Sequence, residues 1–403
     1  MSGSGGGSVG GGFEQQYSSY KGLLLEPDEA GIMSAATLIK SGDIVAFPTE
    51  TVYGLGGNAL DASAVRAIFE AKGRPLTDPL IVHVASVSQA IALVDISAEE
   101  LLLFNVLSQF WPGPLTIIAK AAAVIPPLVT ANTGFVGVRY PKHPLACRLI
   151  EESGLPIAAP SANRFGHVSP TLAKHVLDDL ACKGVHVLSG DVEEYAQHTC
   201  QHGIESSVVK IDGSKKQILV LRQGAITPKA ICVALENCGN ADLQKDWSVK
   251  VIKKTVDMKH QKEEQLQRES EGEKVGQEAP GQAITHYAPD IPCMIVHSII
   301  RSRGFSSSSS NSNSGDSNSN SNSSSISSSD NSGGGVGGGV YPIVDTSDVD
   351  LASTIIIDYG GKLGEYKSLC LAYTDLSSEA SSSEAANRLF DVLRWTETFI
   401  GSA

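Results

Sequence analysis

Two short clusters hold residue types that can do chemistry on an anion. Lys72-Gly73-Arg74-Pro75 sets a cation on either side of a glycine, and Pro160-Ser161-Ala162-Asn163 sets a hydroxyl and an amide two positions apart. In an extended segment positions i and i+2 share a face, so Ser161 and Asn163 point the same way. Lys72 and Arg74 close a helical stretch, where positive charge also suits the helix C-terminus, so a capping role stands beside an anion-binding one. Ser169-Pro170-Thr171 reads as a helix start with Ser169 as N-cap and Pro170 at N1. The free N–H groups of such a start bind anions. Cations, hydroxyl, amide and helix N-terminus together describe a cradle for phosphate or carboxylate.

Other patterns fall short of a site. In Gly361-Lys362-Leu363-Gly364-Glu365-Tyr366-Lys367-Ser368 a tyrosine stands where a phosphate loop needs its second glycine. Gly54-Leu55-Gly56-Gly57-Asn58-Ala59 follows its strand too late for a dinucleotide fingerprint. His198, Cys200 and His202 have no distant Cys/His pair to complete a tetrahedron and read as a plain surface loop. His143, His175 and His186 read as ordinary surface or core histidines.

The elements that must position these residues alternate between strand-like and helix-like runs over residues 41 to 230. A strand at Ile44 to Phe47 precedes a helix at Asp61 to Lys72, with Asp61 as N-cap and Gly73-Arg74-Pro75 as the stop. A second helix is expected at Leu101 to Phe110, and Thr227-Pro228 opens another. Strands are expected at Leu115 to Ala119, Phe135 to Tyr140, Pro156 to Ala159, Val185 to Leu188, Ser206 to Ile211 and Ile218 to Leu221. This is an α/β domain built on a sheet. A smaller α/β unit follows, with strands near Cys293 to His297, Thr354 to Asp358 and Ser368 to Tyr373, and a helix at about Glu384 to Thr398.

Composition bounds the rest. Residues 306 to 340 hold 17 Ser, 6 Asn and 7 Gly, too little apolar surface to offset chain entropy, so this tract reads as a disordered tether within the second unit. Residues 253 to 274 carry 12 charged side chains of mixed sign and read as a solvated linker. The net charge of −13 disfavours non-specific binding to nucleic acid or anionic membrane. Seven cysteines without a C-x-x-C pair suit reduced thiols in a cytoplasmic protein. No apolar run is long enough to span a bilayer, and no secretory or mitochondrial targeting pattern is expected at the N-terminus.

Seven motifs in order carry a family resemblance: Pro48-Thr49-Glu50-Thr51-Val52-Tyr53-Gly54-Leu55, the K-x-R of Lys72 and Arg74, Trp111-Pro112-Gly113-Pro114-Leu115-Thr116, Gly137-Val138-Arg139-Tyr140-Pro141, the S-x-N of Ser161 and Asn163, His202-Gly203-Ile204-Glu205-Ser206-Ser207, and Leu221-Arg222-Gln223-Gly224-Ala225-Ile226. The chain resembles the YrdC-type family of threonylcarbamoyl-AMP synthases over about residues 30 to 235. His286-Tyr287-Ala288-Pro289 and the α/β tail resemble its longer, two-domain branch. The resemblance implies a YrdC-like twisted mixed-sheet domain, a linker and a smaller Rossmann-like α/β domain. The expected boundaries are a disordered 1–28, a synthase domain at 29–240, a charged linker at 241–290 and a C-terminal domain at 291–403.

It also implies an activity: L-threonine, bicarbonate and ATP combine into threonylcarbamoyl-AMP and pyrophosphate, feeding a transferase complex that modifies position 37 of tRNA. Magnesium would come with ATP, no organic cofactor is needed, no protein metal ligands are identified, and any tRNA or RNA contact would be weak. Carried over residue by residue, Lys72, Arg74, Ser161 and Asn163 would be catalytic. Thr51, His83, Arg139, Ala159 through its backbone, and Ser206 would bind threonine. Arg74, Asp78, Phe135 through its backbone, Ser161, Asn163, Ser169, Arg222 and Tyr287 would contact ATP, with Tyr287 closing the site from the linker. Asp78 stands where the family pattern has Asn, Gln223 where it has Pro, and Ser207 where it has Thr. Two other classes share parts of the pattern: a double-stranded RNA or ribosome-binding module, against which the net charge argues, and a carbamoyl-AMP-forming hydrogenase-maturation enzyme, which should bring zinc-finger segments.

Overall fold

The computed structural model describes residues 22–252, 276–280, 289, 298–300, 343–345 and 349–399. Its first unit is built on strands β1 (Leu24–Leu25), β2 (Val45–Phe47), β3 (Gly54–Asn58), β4 (Ile81–His83), β5 (Leu115–Lys120), β6 (Phe135–Arg139), β7 (Ile157–Ala158), β8 (His186–Leu188), β9 (Ser207–Asp212), β10 (Gln217–Arg222) and β11 (Ser248–Val251). They form one 11-stranded mixed sheet in the order β1-β8-β2-β3-β7-β4-β6-β5-β9-β10-β11. β4 runs parallel to β6, with His83 opposite Arg139, and β5 runs parallel to β9. β7 lies antiparallel to both β3 and β4.

Side chains alternate across a strand, and the core divides accordingly. Val45 and Phe47 join one buried cluster with α1 (Glu29–Lys40) and the helix Pro144–Ser153, whereas Ala46 joins the other. Ile157 and Ala159 likewise face the first cluster and Ala158 the second. The second cluster packs α2 (Ala62–Lys72), α3 (Val87–Ile91) and α4 (Ala98–Leu107) against the sheet, together with helices Ala173–Leu180 and Pro228–Glu236. With both faces covered, β2 and β4 are buried along their whole length and β5 over all but its last residue. In chain order the next four helices are α5 (Pro144–Ser153), α6 (Ala173–Leu180), α7 (Pro228–Glu236) and α8 (Ala241–Asp246). The mixed α/β architecture agrees with the expectation from sequence.

Local signals set most helix ends as expected. Asp61 accepts from Ser63 N, and Gly73 takes the left-handed conformation (φ +63°) that ends α2, while Val65, Ile68 and Phe69 form its buried face. Thr227 caps α7. α4 starts at Ala98 rather than Leu101, because Ser97 and Glu100 form a reciprocal capping box upstream.

Three expectations need correction. Ser169 is not an N-cap: α6 begins at Ala173, whose N–H donates to Asp191 Oδ2 at 2.6 Å. A carboxylate thus already occupies the helix end that was to receive an anion. Residues 241–251, placed in the linker, form α8 and the edge strand β11, which pairs parallel with β10. The His198–His202 segment is no plain surface loop, because Cys200 N donates to Thr49 O and His202 N to Glu50 O, and Cys200 is buried. The glycines of Gly54-Leu55-Gly56-Gly57 lie in β3, where a Cβ on Gly56 would strike Phe47 and Ile157, so they serve close packing.

The described residues up to 289, with Ile357–Lys362 and 374–399, form one compact unit. The other comprises 298–300, 343–345, 349–356 and Leu363–Tyr373. In it β12 (Ser298–Ile300) pairs parallel with β13 (Ile343–Asp345), and Leu371 N bonds back to Leu351 O and Thr354 O. The strands β14 (Ile355–Asp358) and β15 (Ala372–Asp375) precede α9 (Ser382–Glu397), which Ser381 caps and which belongs to the first unit. The strand expected at Cys293 to His297, residue Tyr287 and the tract 306–340 lie outside the described residues. Among the described residues no helix is long and apolar enough to cross a membrane.

Candidate active site

Strand ends and the loops beside them converge on one cavity of the first unit. Thr51 comes from the turn between β2 and β3, His83 and Arg139 from the C-terminal ends of two parallel neighbours, and Arg222 from the end of β10. Ala159 and Ser161 follow β7, Ser206 precedes β9, and Arg74 follows the Gly73 cap. These eight residues line a cavity of about 540 Å³, counting the part open to solvent.

The loop after β7 is fastened along its length. Leu55 N donates to Pro160 O, Ala162 N to Tyr53 O, Tyr53 N to Pro170 O and Phe165 N to Lys72 O. Ser161 and Asn163 are therefore held by β3 on one side and by the end of α2 on the other.

At one end of the cavity Arg139 Nη2 donates to Glu50 Oε1 at 2.7 Å, and both side chains are buried. Burial alone would raise the Glu50 acid, but the adjoining guanidinium outweighs it and holds the pKa below the ordinary value. Arg139 Nε and Glu50 Oε2 find no hydrogen-bond partner among the described residues, nor does His83 Nδ1. Burial, and then the charge of Arg139, depress the His83 pKa to about 3, so its ring is neutral at pH 7. This end can offer a carboxylate-binding cation, a neutral imidazole and the Thr51 hydroxyl.

At the other end Arg74 and Asp78 form a buried ion pair at 3.0 Å, and Arg74 also donates to Asp78 O and Pro79 O. Lys72 Nζ donates to Ser161 O at 2.6 Å and to Asn163 O. Burial first, and then the neighbouring Arg74, lower the Lys72 pKa to about 7. Arg222 pairs with Glu205, and its Nε and Nη2 donate to Ser206 O and Ser206 Oγ at 2.9 and 3.1 Å. Glu205 accepts from Ser169 Oγ at 3.2 Å, and Ser206 Oγ lies 2.9 Å from Thr116 Oγ1.

Lys72, Asp78, Asn163 and Ser169 stand behind the cavity wall instead of lining it. Phe135 lies under Lys210, whose Nζ is 4.1 Å from the ring centroid, and does not line the cavity either. Sequence reasoning quoted Glu50 and Glu205 within motifs but gave them no role. A carboxylate beside a candidate binding hydroxyl, in a motif rich in buried types, was the available signal. Pro280 was also missed, and it lines the cavity from a segment anchored by Gln277 N to Thr77 O and by the buried Ala279. Among the described residues no group of three His, Cys, Asp or Glu side chains could hold a metal ion.

Two family models match. Telomere recombination covers residues 37–224, and the C-terminal domain of threonylcarbamoyl-AMP synthase covers 247–402. Threonylcarbamoyl-AMP synthase of Bacillus subtilis is 38% identical over 67% of this chain and 68% of its own length. Its counterparts in Pyrococcus abyssi and Schizosaccharomyces pombe are 45% and 40% identical over 49% and 52% of this chain, and over 55% of each relative. The crystal structure of P. abyssi Sua5 complexed with L-threonine superposes with a TM-score of 0.64 at 28% identity, covering 93% of this chain and 88% of that one. With both domains of the family matched and a relative similar across two thirds of its length, the chain belongs to the two-domain threonylcarbamoyl-AMP synthases, a family of nucleotidyltransferases.

Proposed function

We propose that this cavity joins L-threonine, bicarbonate and ATP into threonylcarbamoyl-AMP with release of pyrophosphate, for threonylcarbamoyladenosine formation at position 37 of tRNA. The observation that carries the reading is the convergence of Arg139, His83, Thr51 and Ser206 with Arg74, Ser161 and Arg222 on one wall-to-wall cavity. Arg139 takes the threonine carboxylate, a role supported by its place in the cavity lining and by an Nε without a partner among the described residues, and Thr51, the Ala159 backbone and Ser206 orient the rest. Arg74, Ser161 and Arg222 face the nucleotide, and Lys72, Asp78, Asn163 and Ser169 support that face from behind. Threonine carbamate is itself the nucleophile toward the α-phosphate, so the protein need only align two anions and neutralise charge on the transferring group.

Magnesium enters as part of the nucleotide substrate. The carboxylates nearest the phosphate end, Asp78 and Glu205, already face Arg74 and Arg222. The linker acts as a lid, a role supported by Pro280 at the cavity and by the anchoring of 276–280. On this view residues 29–240 and the added strand β11 form the synthase domain, and the adenylate passes to a separate transferase complex in the cytoplasm. Pyrophosphate release measured with each substrate omitted in turn tests the reading: release requires both threonine and bicarbonate, and equal release without threonine rejects it. Salt-sensitive RNA binding without that turnover would point to the RNA-binding class instead.

A further inference from the structure

A second group of charged side chains lies outside the cavity lining. His167 Nδ1 is 2.9 Å from Asp179 Oδ1, and His167 Nε2 is 2.7 Å from Glu397 Oε1. With a carboxylate at each ring nitrogen, the form that satisfies both is the doubly protonated imidazolium. Burial opposes that charge, yet the two acids together raise the His167 pKa above its ordinary value. Arg394 completes the group, donating to Asp179 Oδ2 at 2.8 Å and to Val168 O. Glu397 and Arg394 lie on α9, whose buried Phe390 packs on Val52 and Val168.

From this group a chain of hydrogen bonds leads to the cavity. Asn163 Nδ2 donates to His167 O at 2.8 Å, and Asn163 O accepts from Lys72 Nζ. The same helix reaches the opposite wall, where Asn387 Nδ2 donates to Gln201 O at 2.8 Å and Cys200 O at 3.2 Å. Two residues on, Gly203 has φ +63°, and a Cβ there would run into the Asn387 backbone. Only glycine lets this loop approach the helix so closely. That loop continues into Glu205 and Ser206 at the cavity.

We propose that α9 braces both loops of the nucleotide end, with Asn387, Arg394 and Glu397 as positioning residues for the 161–169 and 200–206 segments. The inference rests on the reading of this cavity as the synthase site. The brace fixes where Ser161, Lys72 and Arg222 stand without contacting substrate. Truncating it lets the loops sample other positions, so ATP binding weakens before threonine binding does.

The test uses the full chain carrying Glu397→Ala, Asn387→Ala or both, with Glu397→Gln as the conservative control. Hydrogen exchange of residues 161–169 is followed beside KM for ATP, KM for threonine and kcat. Glu397→Ala is expected to speed exchange in 161–169 and to raise KM for ATP on the order of tenfold, as the loss of one hydrogen bond to a charged group implies. KM for threonine stays within about twofold on the same scale. Glu397→Gln, whose amide oxygen still accepts from Nε2, recovers most of both effects. Unchanged exchange in the double variant overturns the brace. Faster exchange and a lower melting temperature with unaltered KM for ATP also overturns it, since the contacts would then only fasten the helix. The exchange arm does not depend on turnover, so a wild-type chain without threonine-dependent ATP use would reject the functional reading and leave the brace to be judged on exchange.

Discussion

At one end of the cavity the guanidinium of Arg139 is compensated by a buried carboxylate, and at the other the ammonium of Lys72 is compensated by the carbonyl dipoles of Ser161 and Asn163. Both cations are almost fully buried. The ion pair keeps Glu50 ionised against its desolvation, so this end holds a fixed pairing at any pH near neutral. The dipoles offset less of the cost of burying charge, and the Lys72 pKa falls to about 7. One end is therefore charged and set, and the other is poised to gain a proton when an anion arrives. Under the proposed function, a site that takes both a carboxylate and a triphosphate can use both kinds of compensation.

The largest effect should come from breaking the fixed pair. Arg139→Met leaves Glu50 buried without its counter-charge, a loss of about 3–5 kcal/mol in stability, and removes the guanidinium proposed to hold the threonine carboxylate. Adding Glu50→Leu to that variant should restore most of the urea midpoint, because replacing both partners of a buried pair by apolar groups is close to neutral. Turnover should stay absent in both. If the double variant is no more stable than Arg139→Met, the pair does not compensate itself as the geometry implies.

Titration sharpens the other side. The unfolded chain has Lys72 near its ordinary 10.5 and the folded one near 7, so between those values the unfolded state binds the extra proton. Stability from this group therefore rises with pH through that window, by at most about 1.4 kcal/mol per pH unit, and its contribution is least below pH 7. Lys72→Met should flatten the slope of unfolding free energy between pH 7 and 9 by nearly one proton. An equal slope in both proteins would mean that the carbonyls hold the ammonium charged throughout. Under the proposed function nucleotide binding has the opposite sense: positive charge behind the phosphate end favours a triphosphate, so ATP affinity of the wild type should fall as pH rises from 6 to 8.

What the sequence disclosed follows from the range of each interaction. Helix α2 was legible because Asp61, the apolar face and Gly73 are all within one segment. The cations and hydroxyls of the cavity were legible as types. Their compensation was not, because Glu50 lies 89 positions from Arg139, and Arg394 lies 215 from Asp179. No local pattern announces a partner at that separation. The same limit produced the misplaced helix start, where Ser-Pro gave a sound local cue and Asp191, 18 positions from Ala173, supplied the bond instead.

The smallest effect concerns that cap and separates the supporting scaffold from the cavity. Asp191 accepts from Ala173 N and also from Tyr53 Oη at 2.7 Å, while Gly190 N donates to the same phenol oxygen at 2.7 Å. The carboxylate thus starts α6 and ties it to the strand that carries the first cavity motif. Asp191→Ala should cost about 1–2 kcal/mol, the range of a lost cap, with further loss from the Tyr53 hydroxyl left without its acceptor. Ser169→Ala should cost less in stability, since its hydroxyl donates only to Glu205, a side chain that Arg222 also holds. In kinetics the order should reverse, because Glu205 and Arg222 face the cavity and Asp191 does not. Thermal unfolding of the two variants beside their KM for ATP decides the matter. A Ser169→Ala variant that loses more stability than Asp191→Ala would return the helix start to Ser169.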